Sequence, residues 1–120
     1  MKYALVVDDE SLNRQIVRAM LENLGYEVQE ASDGQQAVDC FQKQERQFDL
    51  VTMDFNMPNK NGVQAIREIR EINQITPIIG ITAAASIMRF ELKQEKKIKI
   101  LEKPLDSADL KMALDELKKY

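Results

Sequence analysis

Apolar residues recur along the chain in two alternating rhythms. Tyr3 to Val7 is an unbroken apolar run, the pattern of a strand buried on both faces. From Ser11 to Leu24 the period lengthens to that of a helix, with Leu12, Ile16, Met20 and Leu24 four apart and Gly25 placed as its C-cap. Tyr26 to Ala31 reads as a short strand with Tyr26 and Val28 on its apolar side. The turn Ser32-Asp33-Gly34 opens a second helix whose inner face is Ala37, Val38 and Phe41. Phe48 to Met53 is a third strand, ending at Asp54. The stretch to Gly62, with Pro58 and its asparagines, is a loop.

Val63, Ile66, Ile69 and Ile72 mark a third helix, and Pro77 to Thr82 a fourth strand. Ser86 to about Lys96 is predicted helical, with Ile87, Phe90 and Leu92 as its apolar residues. Ile98 to Leu101 is a fifth strand, stopped by Lys103-Pro104. Asp106 or Ser107 then caps a last helix carried by Leu110, Ala113, Leu114 and Leu117. Strand and helix thus alternate five times, without a repeat or a linker, so residues 1–120 are expected to form one α/β domain. Such alternation means a parallel sheet with helices on both faces, joined by right-handed crossovers. Ligands of such sheets bind at the carboxyl ends of the strands.

Composition narrows the chemistry. The 120 residues include no histidine, which removes imidazole bases and nearly all zinc sites. The single cysteine, Cys40, excludes an internal disulfide; by its spacing it packs on the inner side of the second helix. A formal net charge of −3 is not the basic field of a nucleic-acid binder. The lysines at 93, 96, 97, 99 and 103 read as a solvated helix end and loop. The longest apolar-looking uncharged stretch, Pro77 to Met88, is too short to span a bilayer. Acidic residues follow Val7 at once, so no secretory signal pattern is present, and the expected compartment is a reducing cytoplasm.

The polar residues just beyond the strands are Asp8 and Asp9 after the first, Asp54 after the third, Thr82 ending the fourth and Lys103 after the fifth. Each alone has an ordinary explanation as a helix-dipole partner, a turn residue, a strand residue or a solvated lysine. Together they converge on one edge of the sheet. Three carboxylates in one cleft repel, by about 4 kcal/mol for a pair 4 Å apart at an effective dielectric near 20. Either some protonate or a cation sits among them. With oxygen donors alone a hard divalent ion is implied, and magnesium suits because it keeps waters that a phosphate can replace. A carboxylate can itself accept a phosphoryl group. Asp54, on the central strand between the acidic pair and Thr82 with Lys103, is the candidate nucleophile.

The segments VVDDES (Val6–Ser11), MDFNMPNKNG (Met53–Gly62), GITA (Gly80–Ala83) and EKPLD (Glu102–Asp106) each follow a predicted strand. In this order they resemble the receiver domain of two-component response regulators, over essentially the whole chain. The resemblance implies a flavodoxin-like sheet of strand order 2-1-3-4-5 and a regulatory domain rather than an enzyme. It implies that Asp54 takes a phosphoryl group from a sensor histidine kinase or phosphotransfer protein in a magnesium-dependent reaction, and that the domain signals to a downstream protein by the resulting conformational change. Asp9, Asp54 and the backbone carbonyl of Asn56 would bind Mg2+, with Asp8 helping through water. Thr82 and Lys103 would meet the phosphoryl group, and the Lys103–Pro104 bond would be cis. The chain departs from the family pattern at Ile100, commonly an aromatic; at Glu95 to Lys99, which lack the usual loop glycine; and at Ala84, too small to position a water. These departures bear on the output face, not on the phosphorylation chemistry. The fourth and fifth helices leave dimerisation open.

Three other classes compete with this one. A magnesium phosphatase resembling haloacid dehalogenases wants an Asp two residues after the nucleophile, where Asn56 cannot transfer a proton. A mononucleotide binder wants a Ser/Thr/Gly-rich cradle after the first strand, where Asp8-Asp9-Glu10 would repel a phosphate. A protein-interaction module that keeps the receiver pocket but signals without phosphate stays open as the alternative.

Overall fold

The computed structural model describes residues 2–43, 47–55 and 61–118. Along them run β1 (Lys2–Val7), α1 (Ser11–Asn23), β2 (Tyr26–Ala31), α2 (Gly34–Lys43), β3 (Leu50–Asp54), α3 (Gly62–Ile72), β4 (Ile78–Thr82), α4 (Ala85–Glu91), β5 (Ile98–Glu102) and α5 (Ser107–Leu117). The strands pair in parallel in the order β2-β1-β3-β4-β5, the flavodoxin-like arrangement expected.

Successive strand residues point to opposite faces, so each central strand supplies two cores. Leu5, Val7, Val51, Met53, Ile78 and Ile100 pack toward α2, α3 and α4. Their neighbours Ala4, Val6, Leu50, Ile79 and Ile81 pack toward α1 and α5, where Val17, Leu21, Leu110 and Leu114 close the layer. Buried Phe48 lies just before β3 rather than within it, stacked on the Tyr3 ring and tilted against Phe41. The helix ends are set by local chemistry. Asn61, Asp106 and Asp33 accept the N–H groups of Gln64, Asp109 and Gln36 at 3.0, 2.9 and 2.8 Å, each cap contributing about 1 kcal/mol. Gly25, at φ +93°, takes the left-handed position after α1 that a side chain resists.

Three helical faces differ from the sequence expectation. In α1 the buried residues are Val17 and Leu21, with Met20 partly covered, while Leu12, Ile16 and Leu24 are exposed. The inner stripe of α1 includes half-buried Arg14 and Arg18, whose partner Glu30 comes from β2. In α3, Ile72 is exposed and Arg70 is buried in its stead. The helix α4 stops at Glu91 instead of near Lys96. Its inner face is Ala85, Met88 and Leu92, leaving Ile87 60% and Phe90 67% exposed. Cys40 is half-buried against the α2–α3 core, as its spacing suggests, and accepts a hydrogen bond from Gln29 Nε2.

The segment before β5 has no glycine, and Lys97 itself takes φ +58°. The buried Arg70 guanidinium holds that turn by donating Nη2 to the Lys96 and Lys97 carbonyls at 2.8 and 3.4 Å, and Nη1 to the Asn73 carbonyl at 3.3 Å. A non-glycine residue there costs about 1–2 kcal/mol, partly offset because glycine gains more freedom on unfolding. Lys97→Gly is therefore expected to stabilise the protein by about 0.5–1 kcal/mol, read as a higher urea midpoint at unchanged slope.

Candidate functional site

The sheet register carries four strand ends to one edge. Val7 pairs with Met53, Asp54 with Ile81, and Thr82 with Glu102. Asp8, Asp54, Thr82 and Lys103 therefore emerge side by side at the carboxyl ends of β1, β3, β4 and β5. Strand order reverses between β1 and β3, because β2 lies on the far side of β1. The crevice that such a reversal opens lies between Asp8-Asp9 and Asp54.

Oxygens of Asp8, Asp9 and Asp54 come within 4.8 Å of one another. Asp8 and Asp54 are buried and Asp9 is exposed. Burial pushes the Asp8 carboxyl up to about 6; the Glu10 N–H bound to it at 3.0 Å opposes the rise, and the nearby Asp54 charge adds to it. On the other side of Asp54, Lys103 Nζ reaches its Oδ1 at 3.3 Å. The Lys103 side chain is 37% exposed, and the residue precedes a cis Pro104. Thr82, buried at the end of β4, accepts the Ala84 N–H on Oγ1 at 3.0 Å. The structure thus brings Asp8, Asp9, Asp54 and Lys103 into one cluster and puts Thr82 at the same edge. Asn56 lies outside the described residues.

The donor set suits a hard divalent cation. All three side chains offer oxygen only, two of them are buried carboxylates, and Asp8, raised mainly by burial, is raised further by the Asp54 and Asp9 charges beside it.

Several residues that shape this edge were not singled out from the sequence. A Cβ on Gly62 would lie 2.7 Å from the Asp54 carbonyl oxygen and the Phe55 Cα. Glycine there lets α3 start directly against the backbone of β3, with its N–H donating to the Phe55 carbonyl at 3.3 Å. On β4, a Cβ on Gly80 would collide with the buried Phe55 ring and come within 2.9 Å of Ile100 Cδ1. A glycine inside a strand of isoleucines is a sequence sign of such a close approach. Arg14 also touches the site, donating Nη1 to the Asp8 carbonyl at 2.7 Å; nothing in the α1 pattern distinguishes it from a solvated arginine. Beside the carboxylates a groove of about 490 Å³ opens, walled by Ile16, Val17, Ile81 and Leu105 with Asp8 and Lys103 at its rim.

Comparisons with known proteins agree with this geometry. The response regulator receiver domain family matches residues 4–115. The sensor histidine kinase RcsC of Escherichia coli (strain K12) is 37% identical over 115 residues, covering 95% of this chain and 11% of the kinase. The chain thus spans about a tenth of that relative. The Arabidopsis thaliana two-component response regulator ARR22 is 33% identical, over 88% of this chain and 76% of its own length. Among solved structures, the receiver domain of sensor histidine kinase PA1611 from Pseudomonas aeruginosa PAO1 superposes with a TM-score of 0.84 at 34% identity. It covers 99% of this chain and 98% of that one, and holds a magnesium ion in its active-site cleft. Vibrio cholerae chemotaxis protein CheY4 superposes with a TM-score of 0.85 at 31% identity, over 98% of both chains. With its sheet order, its acidic crevice and a family match spanning nearly all of its length, this chain belongs to the receiver domains of two-component signalling systems.

Proposed function

We propose that Asp54 accepts a phosphoryl group from a phosphohistidine of a sensor kinase or phosphotransfer protein, in a magnesium-dependent reaction, and that the altered charge at this edge signals to a downstream protein. The observation that carries this reading is the buried Asp54 carboxylate, flanked by Asp8 and Asp9 within 4.8 Å and by Lys103 at 3.3 Å. An Asp54 oxygen attacks phosphorus, the phosphorus–nitrogen bond breaks, and its electron pair leaves on the imidazole. Asp9, Asp54 and the Asn56 carbonyl would hold magnesium, with Asp8 acting through water, and the ion would offset charge on the phosphoryl oxygens. Lys103 adds a second cation, and Thr82 offers a hydroxyl. The groove beside Asp8 and Lys103, with exposed Leu12 and Ile16 close by on α1, offers a partner domain an apolar footing next to the acceptor. Among the described residues no helix is long and apolar enough to cross a membrane, and we place the domain in the cytoplasm.

The test is the intact mass of the protein after incubation with acetyl phosphate, with magnesium or a chelator, and with Asp54→Ala alongside. One added phosphoryl group that needs both magnesium and Asp54 is expected. Partner binding that is equal in wild type and Asp54→Ala would instead favour an interaction module that ignores phosphate.

Magnesium is also expected to raise the melting temperature, and by more at pH 7 than at pH 5. The sign follows from Asp8. Its folded value near 6 lies above the ordinary 3.8, so its contribution to metal-free stability is complete below about pH 4 and is lost as pH rises through 6. Between pH 5 and 7 that loss is about 1 kcal/mol. At pH 5 the ion competes with a proton on Asp8; at pH 7 it meets a carboxylate. Melting curves at the two pH values, each with and without magnesium, check this. An equal magnesium increment at both would count against Asp8 facing the ion.

A further inference from the structure

The N–H, carboxylate and carbonyl of Asp8 each have a partner, and two of these partners reach in from outside the loop. The Asp8 N–H donates to the Ala31 carbonyl at the end of β2 at 3.2 Å. Its carboxylate accepts the Glu10 N–H at 3.0 Å. Its carbonyl accepts Arg14 Nη1 at 2.7 Å. That carbonyl belongs to the peptide joining Asp8 to Asp9, so fixing its direction fixes the plane from which the Asp9 side chain springs. Glu10, at the N-cap of α1, makes no side-chain capping bond that would help to pin the loop.

Arg14 is itself held. Its Nε donates to Glu30 Oε1 at 3.0 Å, and Glu30 Oε2 accepts Arg18 Nη1 at 2.7 Å. The Arg14 side chain is 17% exposed, and the two arginines hold the Glu30 carboxyl below its usual range. The planar guanidinium reaches two acceptors at once, in directions a lysine cannot serve together. Glu30 lies two residues beyond Val28 on the edge strand, so the strand period turns it toward α1.

We propose that Arg14, braced by Glu30, is the positioning residue that sets the aim of Asp8 and Asp9 in the acidic crevice, an inference that rests on the magnesium reading above. It acts through the Asp8 carbonyl and touches neither ion nor phosphate. A neighbour that orients a metal ligand typically changes affinity 10–100-fold when removed.

The test is magnesium titration calorimetry on the 120-residue chain as wild type, Arg14→Met, Arg14→Lys and Glu30→Gln, with metal-free melting curves beside it. Arg14→Met is expected to weaken magnesium binding about tenfold or more. Arg14→Lys, which restores the charge without the fork, is expected to recover only part of that affinity. Glu30→Gln, which removes the brace and leaves Arg14 in place, is expected to fall between Arg14→Met and the wild type. A lower melting temperature with wild-type affinity in Arg14→Met would make the residue structural only and overturn the proposal. Full recovery in Arg14→Lys would reduce the effect to charge and overturn the positioning claim. Failure of the wild type itself to bind magnesium would sink the metal reading, whereas wild-type binding with unchanged variants sinks this inference alone.

Discussion

Asp54→Asn is expected to take up no phosphoryl group from acetyl phosphate under conditions that load the wild type. The substitution keeps the size of the side chain and an oxygen able to accept from Lys103, which stands 3.3 Å away. It removes the negative charge and the nucleophilic oxygen pair, and an amide does not attack phosphorus at neutral pH. The same change takes one of three carboxylates from the crevice. Magnesium affinity should drop at least about a hundredfold, since each carboxylate close to a divalent ion contributes several kcal/mol even at an effective dielectric near 20. The magnesium-induced rise in melting temperature should shrink accordingly. Intact mass and melting curves read the two effects separately. Phosphate gained by Asp54→Asn would move the acceptor elsewhere, with Asp8 and Asp9 the first residues to replace.

Gly80→Ala is expected to destabilise the protein by about 1–3 kcal/mol, a large cost for one methyl group in a strand. Gly80 lies on β4 between Met53 of β3 and Ile100 of β5. The Phe55 ring, one residue past the candidate acceptor, lies across the space a Cβ would fill. The ring is buried, and protein interiors are close-packed, so the added methyl must displace either it or Ile100. Because Phe55 follows Asp54 directly, a shifted ring also disturbs the acceptor's backbone, and slower phosphoryl uptake should accompany the lower stability. Phe55→Leu in the same chain should recover much of the loss. Two residues in contact couple, and the cycle of single and double variants in urea measures by how much. A cost for Gly80→Ala within 0.5 kcal/mol of zero, or strict additivity with Phe55→Leu, would show that the ring yields freely.

Ile100 gains meaning from this contact. The sequence marks it as a departure from the aromatic common at that position. In the structure it is buried on the same face as the Phe55 ring, and both meet at Gly80. The aromatic bulk on that side of the sheet comes from the residue just after β3 rather than from β5. A second departure, the missing loop glycine, is met by Lys97 in the left-handed region and by Arg70, which holds its carbonyl and that of Lys96. Neither compensation was legible in the sequence, because each depends on a residue more than twenty positions away.

The helices show the same division. The stripes Ala37, Val38, Phe41 of α2 and Leu110, Ala113, Leu114, Leu117 of α5 are buried as their spacing predicts. The stripe Leu12, Ile16, Leu24 of α1 is not, since spacing of four drifts off a 3.6-residue face and the true inner face carries two arginines. An arginine on an inner face looks like an error until the strand opposite supplies an acid. The pattern of α4 failed similarly: Ile87 and Phe90 are apolar, yet the sheet covers only the side bearing Ala85, Met88 and Leu92.

By itself the sequence determined the alternation of five strands and five helices, the residues standing just beyond each strand, and the oxygen-only chemistry they share. Those are local properties, written in periods of two and 3.6 residues and in the types of side chain at fixed offsets. The strand order came from resemblance to a family, and the sheet bears it out. Only the tertiary structure decided which side of α1 and α4 is covered, why Gly80 and Gly62 admit no side chain, and that Arg14 reaches the Asp8 carbonyl. Each of these is a contact between segments far apart in the chain, and no local spacing encodes which distant surface will close over a given residue.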